Sequence, residues 1–232
     1  MTIRFPEPNS GFLVNGAAEA VPAAPKLPRK PGLYRNAVKR ALDMTAIVLA
    51  APVVVPLVAG LAVLVAIEGG QPFYTQMRVG RGGRKFRMWK LRSMVSDADA
   101  RMDDHLAAHP EARLEWDSTQ KLRNDPRITR FGAFLRKSSL DELPQLFNVL
   151  WGDMSLVGPR PMMVQQQSMY PGEAYYALRP GITGFWQTAG RNKTTFEARA
   201  EFDTAYEADL SLATDAKILL RTVGVVVNGT GY

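Results

Sequence analysis

The fold of this 232-residue chain depends first on one uncharged stretch, MTAIVLAAPVVVPLVAGLAVLVAI at residues 44–67. As a straight helix its 24 residues would extend about 36 Å, which is enough to cross a hydrocarbon core of about 30 Å. Pro52 and Pro56 lie inside the stretch, and each removes a backbone donor and clashes with the preceding turn. The stretch therefore predicts a membrane helix with a sharp kink at the prolines.

Basic residues flank this stretch on both sides, and no acidic residue occurs between positions 69 and 96. Because cytoplasmic segments of membrane proteins carry an excess of Lys and Arg, both ends are expected on the cytoplasmic side. This favours a re-entrant helix that enters one leaflet, turns and returns. A full span and the buried core helix of a soluble protein are the alternatives, although soluble helices rarely combine so long an uncharged run with cationic flanks.

Composition limits the chemistry. The chain has no cysteine, which excludes disulfides and cysteine-based zinc sites, and its two histidines are too few for a histidine-rich metal centre. Any metal would be a hard cation bound by oxygen. The net charge of +7 indicates an anionic partner, which could be nucleic acid, anionic lipid or a phosphorylated substrate.

Composition also divides the chain into three parts. Residues 1–33, rich in Pro, Ala, Gly and Asn, predict a flexible N-terminal tail, and we expect its deletion to leave activity intact. Residues 34–70 form an amphipathic lead-in and the re-entrant helix. The apolar stretch starts too far from the N-terminus for a secretory signal, so we expect it to be retained. Residues 71–232 form a cytoplasmic domain.

Two short β segments at 72–79 and 84–91 surround a glycine turn and predict a β-hairpin next to the membrane. Their alternating cations and aromatic rings could bind single-stranded nucleic acid, but directly after an apolar anchor they suit lipid headgroups better. Residues 96–123 predict a solvated helix, with Asp97-Ala-Asp99 as a weak metal pattern. The expected fold class is mainly α with a small β-hairpin (α+β), in a monotopic membrane protein.

The stretch SLDELPQL at 139–146 places Asp141 and Glu142 at the start of a helix predicted from Leu143 onward. Ser139 followed by Glu142 is also a capping-box pattern, which needs no catalysis. Arg136 precedes the carboxylates, and a stiff Gly-Pro-Arg-Pro loop presents Arg160. Because arginine forks match phosphate oxygens, the group favours phosphate chemistry.

Five longer motifs follow one another along the chain: KLRSM at 90–94, DPRITR at 125–130, SLDELPQL at 139–146, MSLVGPRP at 154–161 and RPGITGFWQ at 179–187. Their sequence and order resemble the bacterial sugar transferase family, the monotopic phosphoglycosyl transferases. The resemblance extends from about Lys39 to Thr222. It is strongest to short members that initiate exopolysaccharide synthesis.

The resemblance implies transfer of a hexose 1-phosphate, with galactose or glucose favoured, from a UDP-sugar to undecaprenyl phosphate with release of UMP. This is the first membrane step of exopolysaccharide assembly. It implies a location in the inner (cytoplasmic) membrane of a bacterium, with the catalytic domain, residues 71–232, on the cytoplasmic face. The implied partners are the UDP-sugar donor, the polyprenyl phosphate acceptor and membrane lipids, without nucleic acid. A homodimer is left open.

The resemblance also implies roles for particular residues. Asp141 would be the nucleophile that forms a covalent phosphosugar intermediate, and Glu142 would bind the cofactor Mg²⁺. Arg136 and Arg160 would bind phosphate groups. The alternative for Arg160 is that it braces its loop.

Further polar positions complete the implied site. Lys90 and Asp203 match catalytic positions of the family, with a structural ion pair between them as the alternative. Arg191 would contact a nucleotide phosphate. Arg179 and Gln187 would help to bind substrate, although Arg179 could equally pack.

Three other functions remain open from the sequence. A non-catalytic membrane-associated partner protein of a polysaccharide assembly complex would share the anchor and the basic surface. A cationic nucleic-acid binder would show salt-sensitive binding without lipid. Ordinary glycosyl transfer would release UDP instead of UMP.

Overall fold

The computed structural model describes residues 32–95, 97–119, 122, 124–190 and 196–227. Within these residues the chain is mainly helical, with two small two-stranded sheets. The α-helices are α1 (Lys39–Ile67), α2 (Ala98–Ala108), α3 (Pro110–Thr119), α4 (Arg130–Lys137), α5 (Gln145–Trp151), α6 (Ala174–Ala177), α7 (Arg199–Ala208) and α8 (Leu212–Val227). The strands are β1 (Phe73–Val79), β2 (Lys85–Leu91), β3 (Ser155–Val157) and β4 (Gly181–Thr183), and shorter helical turns occupy Tyr34–Val38, Arg81–Gly83, Leu140–Glu142, Val164–Met169 and Trp186–Gly190. The expected mainly α fold with a small β-hairpin is confirmed.

Helix α1 contains the uncharged stretch and is continuous over 29 residues, with Pro52 and Pro56 inside it. Among the described residues it is the one helix long and apolar enough to cross a membrane. Large apolar side chains such as Leu49 and Val53 are exposed along it, which suits lipid contact better than a protein core. Its re-entrant course and its kink remain predictions.

The second half of α1 packs against the cytoplasmic part of the chain. Leu61, Ala62 and Val65 are buried in one cluster with Leu91 of β2 and Leu135 of α4. The apolar helix therefore forms one wall of the core that supports SLDELPQL.

The N-terminal end of α1 is held by polar contacts. The buried Asp43 accepts a hydrogen bond from Ser155 Oγ at 2.7 Å, and Lys39 Nζ lies 2.5 Å from a carboxylate oxygen of Asp215. Arg40 donates to the carbonyl oxygens of Val149 and Leu150 at the end of α5. Both halves of the helix are thus attached to the rest of the chain.

Strands β1 and β2 form the predicted hairpin, antiparallel from Phe73↔Leu91 to Val79↔Lys85. Gly82 and Gly83 have φ values of 67° and 77°, a left-handed conformation that favours glycine. The hairpin prediction is confirmed.

Strands β3 and β4 form a parallel pair that the sequence analysis did not predict. The pair places the MSLVGPRP and RPGITGFWQ motifs side by side. Gly158 and Gly181 approach so closely that a Cβ on Gly181 would lie 2.1 Å from the backbone nitrogen of Gly158. The glycines of both motifs are therefore explained by backbone contact.

The single helix expected over 96–123 is wrong, because the structure has α2 and α3 with a break at His109. Pro110 disfavours the α conformation of the residue before it, and His109 is extended at φ −127°. Asp97 pairs with Arg101 at 2.9 Å. No group of three or more acidic or histidine side chains in the described part of the chain is arranged to hold a metal.

Candidate active site

The SLDELPQL stretch forms a sharp connection between α4 and α5. Ser139 has a φ of 56°, and a 3-10 turn at Leu140–Glu142 leads to Pro144, the residue that precedes α5. The side chain of Ser139 makes no capping hydrogen bond, so the capping-box alternative is wrong. A strained non-glycine residue next to two carboxylates is typical of a functional site.

Both carboxylates meet Lys90 of β2. Lys90 Nζ lies 2.8 Å from Glu142 Oε1 and 3.5 Å from Asp141 Oδ2. Asp203 instead accepts a hydrogen bond from Tyr170 Oη at 2.8 Å, so the alternative of a Lys90–Asp203 ion pair is wrong. The hairpin therefore supplies the cation that lies between the two acids.

The environment separates the acidities of the two carboxylates. Burial raises the pKa of Asp141, and the charge of Glu142 adds to this, against the opposing charges of Lys90 and Arg136. Burial acts on Glu142 too, but the charges of Lys90 and Arg160 and hydrogen bonds from Lys90 and Gln145 outweigh it and lower the pKa of Glu142. A pair of acids with separated pKa values is characteristic of sites that use carboxylates in different roles.

Arg136 is positioned by close packing of α4 on the KLRSM motif. Its Nε donates to Ser93 Oγ at 2.9 Å, and its charge reaches Asp141. Gly132, one turn earlier, touches the backbone of the same serine, and a Cβ there would lie 2.0 Å from the Ser93 carbonyl oxygen. Only glycine permits this approach, so Gly132 helps to place Arg136 beside Asp141.

Arg160 belongs to the exposed loop after β3. Its guanidinium carbon lies 5.6 Å from the centroid of the Trp186 ring, and its charge lowers the pKa of Glu142. Lys90, Arg136 and Arg160 therefore approach the carboxylates from three different elements.

Asp203 is connected to this group through Arg199, a residue that the sequence analysis missed. Arg199 is buried, and its Nη2 donates to the carbonyl oxygen of Arg160 at 2.6 Å. Burial raises the pKa of Asp203 to about 6, against the opposing effects of the Tyr170 hydrogen bond and the Arg199 charge. The signal in the sequence was the four-residue spacing from Arg199 to Asp203, which places both on one face of α7.

Arg78 of β1 also belongs to this region and was missed. Burial lowers the pKa of Arg78, and the charges of Arg160 and Arg199 add to the effect. No local pattern distinguishes Arg78 from the exposed arginines of the hairpin, because its role depends on where α7 packs.

The remaining predicted residues are placed differently. Arg179 Nε donates to the Gly152 carbonyl oxygen at 3.0 Å, and the charges that act on it are those of Arg40, Arg81 and Asp43. It therefore lies apart from the carboxylates. Gln187 is buried in the turn Trp186–Gly190, beside Gly184. Arg191 lies outside the described residues.

The carboxylates fit a magnesium ion bound jointly by protein and substrate. Mg²⁺ commonly uses one or two carboxylates, several waters and substrate phosphates, so it needs no cage of three acidic residues. Asp141 and Glu142 provide two such groups in the part of the chain that the structure describes. Lys90 Nζ contacts Oε1 of Glu142, so a magnesium ion bound at that oxygen would displace the Lys90 ammonium group.

Comparison with known proteins adds to this geometry. The family model described as "Bacterial sugar transferase" matches residues 34–229. The chain is 46% identical over 195 residues to the "UDP-galactose-lipid carrier transferase" of Erwinia amylovora, which covers 83% of this chain and 41% of that protein. It is 39% identical over 211 residues to the "Exopolysaccharide production protein ExoY" of Rhizobium meliloti, covering 88% of this chain and 93% of that protein.

A third relative is the "UDP-glucose:undecaprenyl-phosphate glucose-1-phosphate transferase" of Xanthomonas campestris pv. campestris, 39% identical over 238 residues, covering 95% of this chain and 46% of that protein. The chain thus spans less than half the length of several curated relatives that it matches, but nearly all of the Rhizobium meliloti protein.

Proposed function

Because the chain belongs to the bacterial sugar transferase family, we propose that it transfers a sugar 1-phosphate from a UDP-sugar to undecaprenyl phosphate and releases UMP. The sugar is galactose or glucose, in line with the names of the relatives. The reaction is the first membrane step of exopolysaccharide assembly, on the cytoplasmic face of the inner membrane. The observation that carries the proposal is the convergence of Asp141, Glu142 and Lys90, with two arginines close by.

In the first step Asp141 attacks the phosphorus that bears the sugar. A bond forms between its carboxylate oxygen and that phosphorus, the bond to the bridging oxygen breaks, and UMP leaves with the electron pair. Burial raises the pKa of Asp141, and the charges of Lys90 and Arg136 oppose this effect and so favour its ionised, nucleophilic form. Arg136 and Arg160 bind the phosphate oxygens and stabilise the charge that develops in the transition state.

In the second step a phosphate oxygen of the lipid acceptor attacks the same phosphorus and releases Asp141 as a free carboxylate. Two displacements at one phosphorus predict ping-pong kinetics. Glu142 would hold Mg²⁺, which when bound supplies charge neutralisation for the diphosphate. The low pKa of Glu142 keeps its carboxylate available for this role.

An apolar cavity supports a lipid acceptor. It has a volume of about 400 Å³, and it lies between α1 and the segment that follows the carboxylates, with Leu143 and Phe147 on one side and Val58 and Ala62 on the other. An isoprenoid chain needs such a surface, and Leu143 is two residues from Asp141. A re-entrant α1 would place this cavity at the depth of the acyl chains, with the carboxylates at the headgroups.

The test is UMP release by the purified protein in lipid nanodiscs, with undecaprenyl phosphate, Mg²⁺ and a panel of UDP-sugars. Asp141→Asn should abolish release from the accepted donor, whereas Asp103→Asn, which removes the same charge from an exposed position on α2, should retain it. No UMP from any donor with folded protein would contradict the proposal and favour a non-catalytic role. Release of UDP instead would indicate ordinary glycosyl transfer.

A further inference from the structure

Three arginines from different elements lie near one another: Arg78 from β1, Arg160 from the loop after β3 and Arg199 from α7. The guanidinium carbons of Arg160 and Arg199 lie 5.6 Å and 5.2 Å from the centroid of the Trp186 ring. Arg78 pairs through its backbone with Met163, three residues after Arg160, and the charges of Arg160 and Arg199 lower its pKa. The three cations therefore occupy one small region.

This arginine cluster lacks a bonded counter-ion in the described part of the chain. There, no carboxylate oxygen lies within 4.0 Å of any of its three guanidinium groups. Asp203 acts on Arg199 electrostatically, but its hydrogen bond is with Tyr170.

Two guanidinium nitrogens of the cluster are buried without an acceptor, namely Nε of Arg78 and Nε of Arg199. Arg199 is only 6% exposed. A buried donor on a charged group that has no acceptor destabilises the folded protein, because no hydrogen bond compensates for its desolvation. Packing alone does not account for two such donors beside a third arginine.

We propose that Arg78, Arg160 and Arg199 form an oxyanion site that binds a phosphate group of a substrate or product. The inference rests on the proposed function, which supplies two carriers of that chemistry, a uridine nucleotide and a lipid phosphate. Arg160 joins this site to the carboxylates, because its charge also acts on Glu142. A phosphate bound by the arginine cluster is thereby placed next to the group that reacts with Asp141.

Binding measurements test the site without turnover. The affinities of UMP, uridine and undecaprenyl phosphate are measured by calorimetry in nanodiscs for the wild type, Arg78→Gln and Arg199→Gln. Loss of one charge-assisted hydrogen bond should weaken binding of the phosphate carrier about 10- to 100-fold and leave uridine unchanged. Arg84→Gln is the matched control, since its side chain is 84% exposed on the same hairpin, and it should change no affinity by more than about twofold.

The outcomes separate the two carriers. Weaker UMP binding with unchanged undecaprenyl phosphate binding assigns the site to the nucleotide, and the reverse assigns it to the acceptor. Affinities for both carriers that equal the wild-type values in Arg78→Gln overturn the inference. Because Arg199 is buried and braces the loop, near-ultraviolet circular dichroism checks its variant, and Arg78→Gln decides the question if Arg199→Gln is misfolded.

The two proposals fail separately. If the wild type releases UMP and both variants keep the wild-type affinities, the proposed function stands and the arginine cluster is not a phosphate site. Weakened phosphate binding in the variants, with no UMP release by the wild type, would keep the arginine cluster as a phosphate site and remove the proposed reaction.

Discussion

Replacing Asp203 by Asn should remove a pH-dependent loss of stability. In the folded protein, burial raises the pKa of Asp203 from 3.8 to about 6. The folded state therefore binds a proton at Asp203 more readily than the unfolded state. This carboxyl contributes most to the free energy of unfolding below pH 3.8, and its contribution is lost as the pH rises to 6. A difference of about two pKa units corresponds to about 3 kcal/mol in the free energy of unfolding.

The Asn variant keeps an oxygen that can accept the hydrogen bond from Tyr170 but carries no charge at any pH. Relative to this variant, the wild type should lose about 2 kcal/mol between pH 4.5 and pH 7.5, because part of the effect falls below that range. For a chain of this size the loss corresponds to a fall of about 4–8 °C in the midpoint of thermal unfolding.

The assay is thermal unfolding in nanodiscs, followed by tryptophan fluorescence at half-unit steps of pH for both proteins. Subtracting one profile from the other cancels the titration of all groups that the two proteins share. A midpoint difference that stays constant from pH 4.5 to pH 7.5 would refute the reasoning. So would a difference that changes in the direction of a more stable wild type at high pH.

Three further changes have defined outcomes. Lys90→Met should lower kcat for UMP release about 100-fold. It should also move the acidic limb of the pH–rate profile to higher pH, because Lys90 lowers the pKa of Asp141. An unshifted acidic limb would contradict this. Gly132→Ala should cost about 1–3 kcal/mol of stability in thermal unfolding, because its Cβ would lie 2.0 Å from the Ser93 carbonyl oxygen, whereas Gly60→Ala, with nothing within 4 Å, should not destabilise. Removal of Mg²⁺ by EDTA should stop UMP release and leave the unfolding midpoint unchanged; undiminished release would remove the metal from the proposal.

The parts of the fold that the sequence predicts are those set by local patterns. The apolar run and the glycine turn between β1 and β2 determine α1 and the hairpin from neighbouring residues alone. Strands β3 and β4 have three residues each, too few for a period, and their pairing depends on contact between distant glycines. The break before Pro110 was readable from the proline but was overlooked in the charged helical pattern.

The candidate site divides in the same way. The pair Asp141 and Glu142 was visible in one short stretch, whereas Arg78 and Arg199 gain their meaning only when β1 and α7 meet near Trp186. Arg179 differs from both cases, because its Nε contacts the Gly152 carbonyl oxygen, as the packing alternative expects, while its role in substrate binding stays a prediction.

The contacts at the start of α1 have a consequence for how the protein sits in a bilayer. Asp43 and Lys39 fasten the helix to Ser155 and Asp215, and further along Val65 lies in the core with no exposed surface. The anchor is therefore not a tether from which a separate head can swing, and any tilt of the helix in the lipid tilts the carboxylates with it. With α1 inserted in a bilayer as proposed, the fold sets the height of the proposed reaction site above the membrane, and cutting the chain after α1 should yield an aggregating fragment instead of a soluble domain.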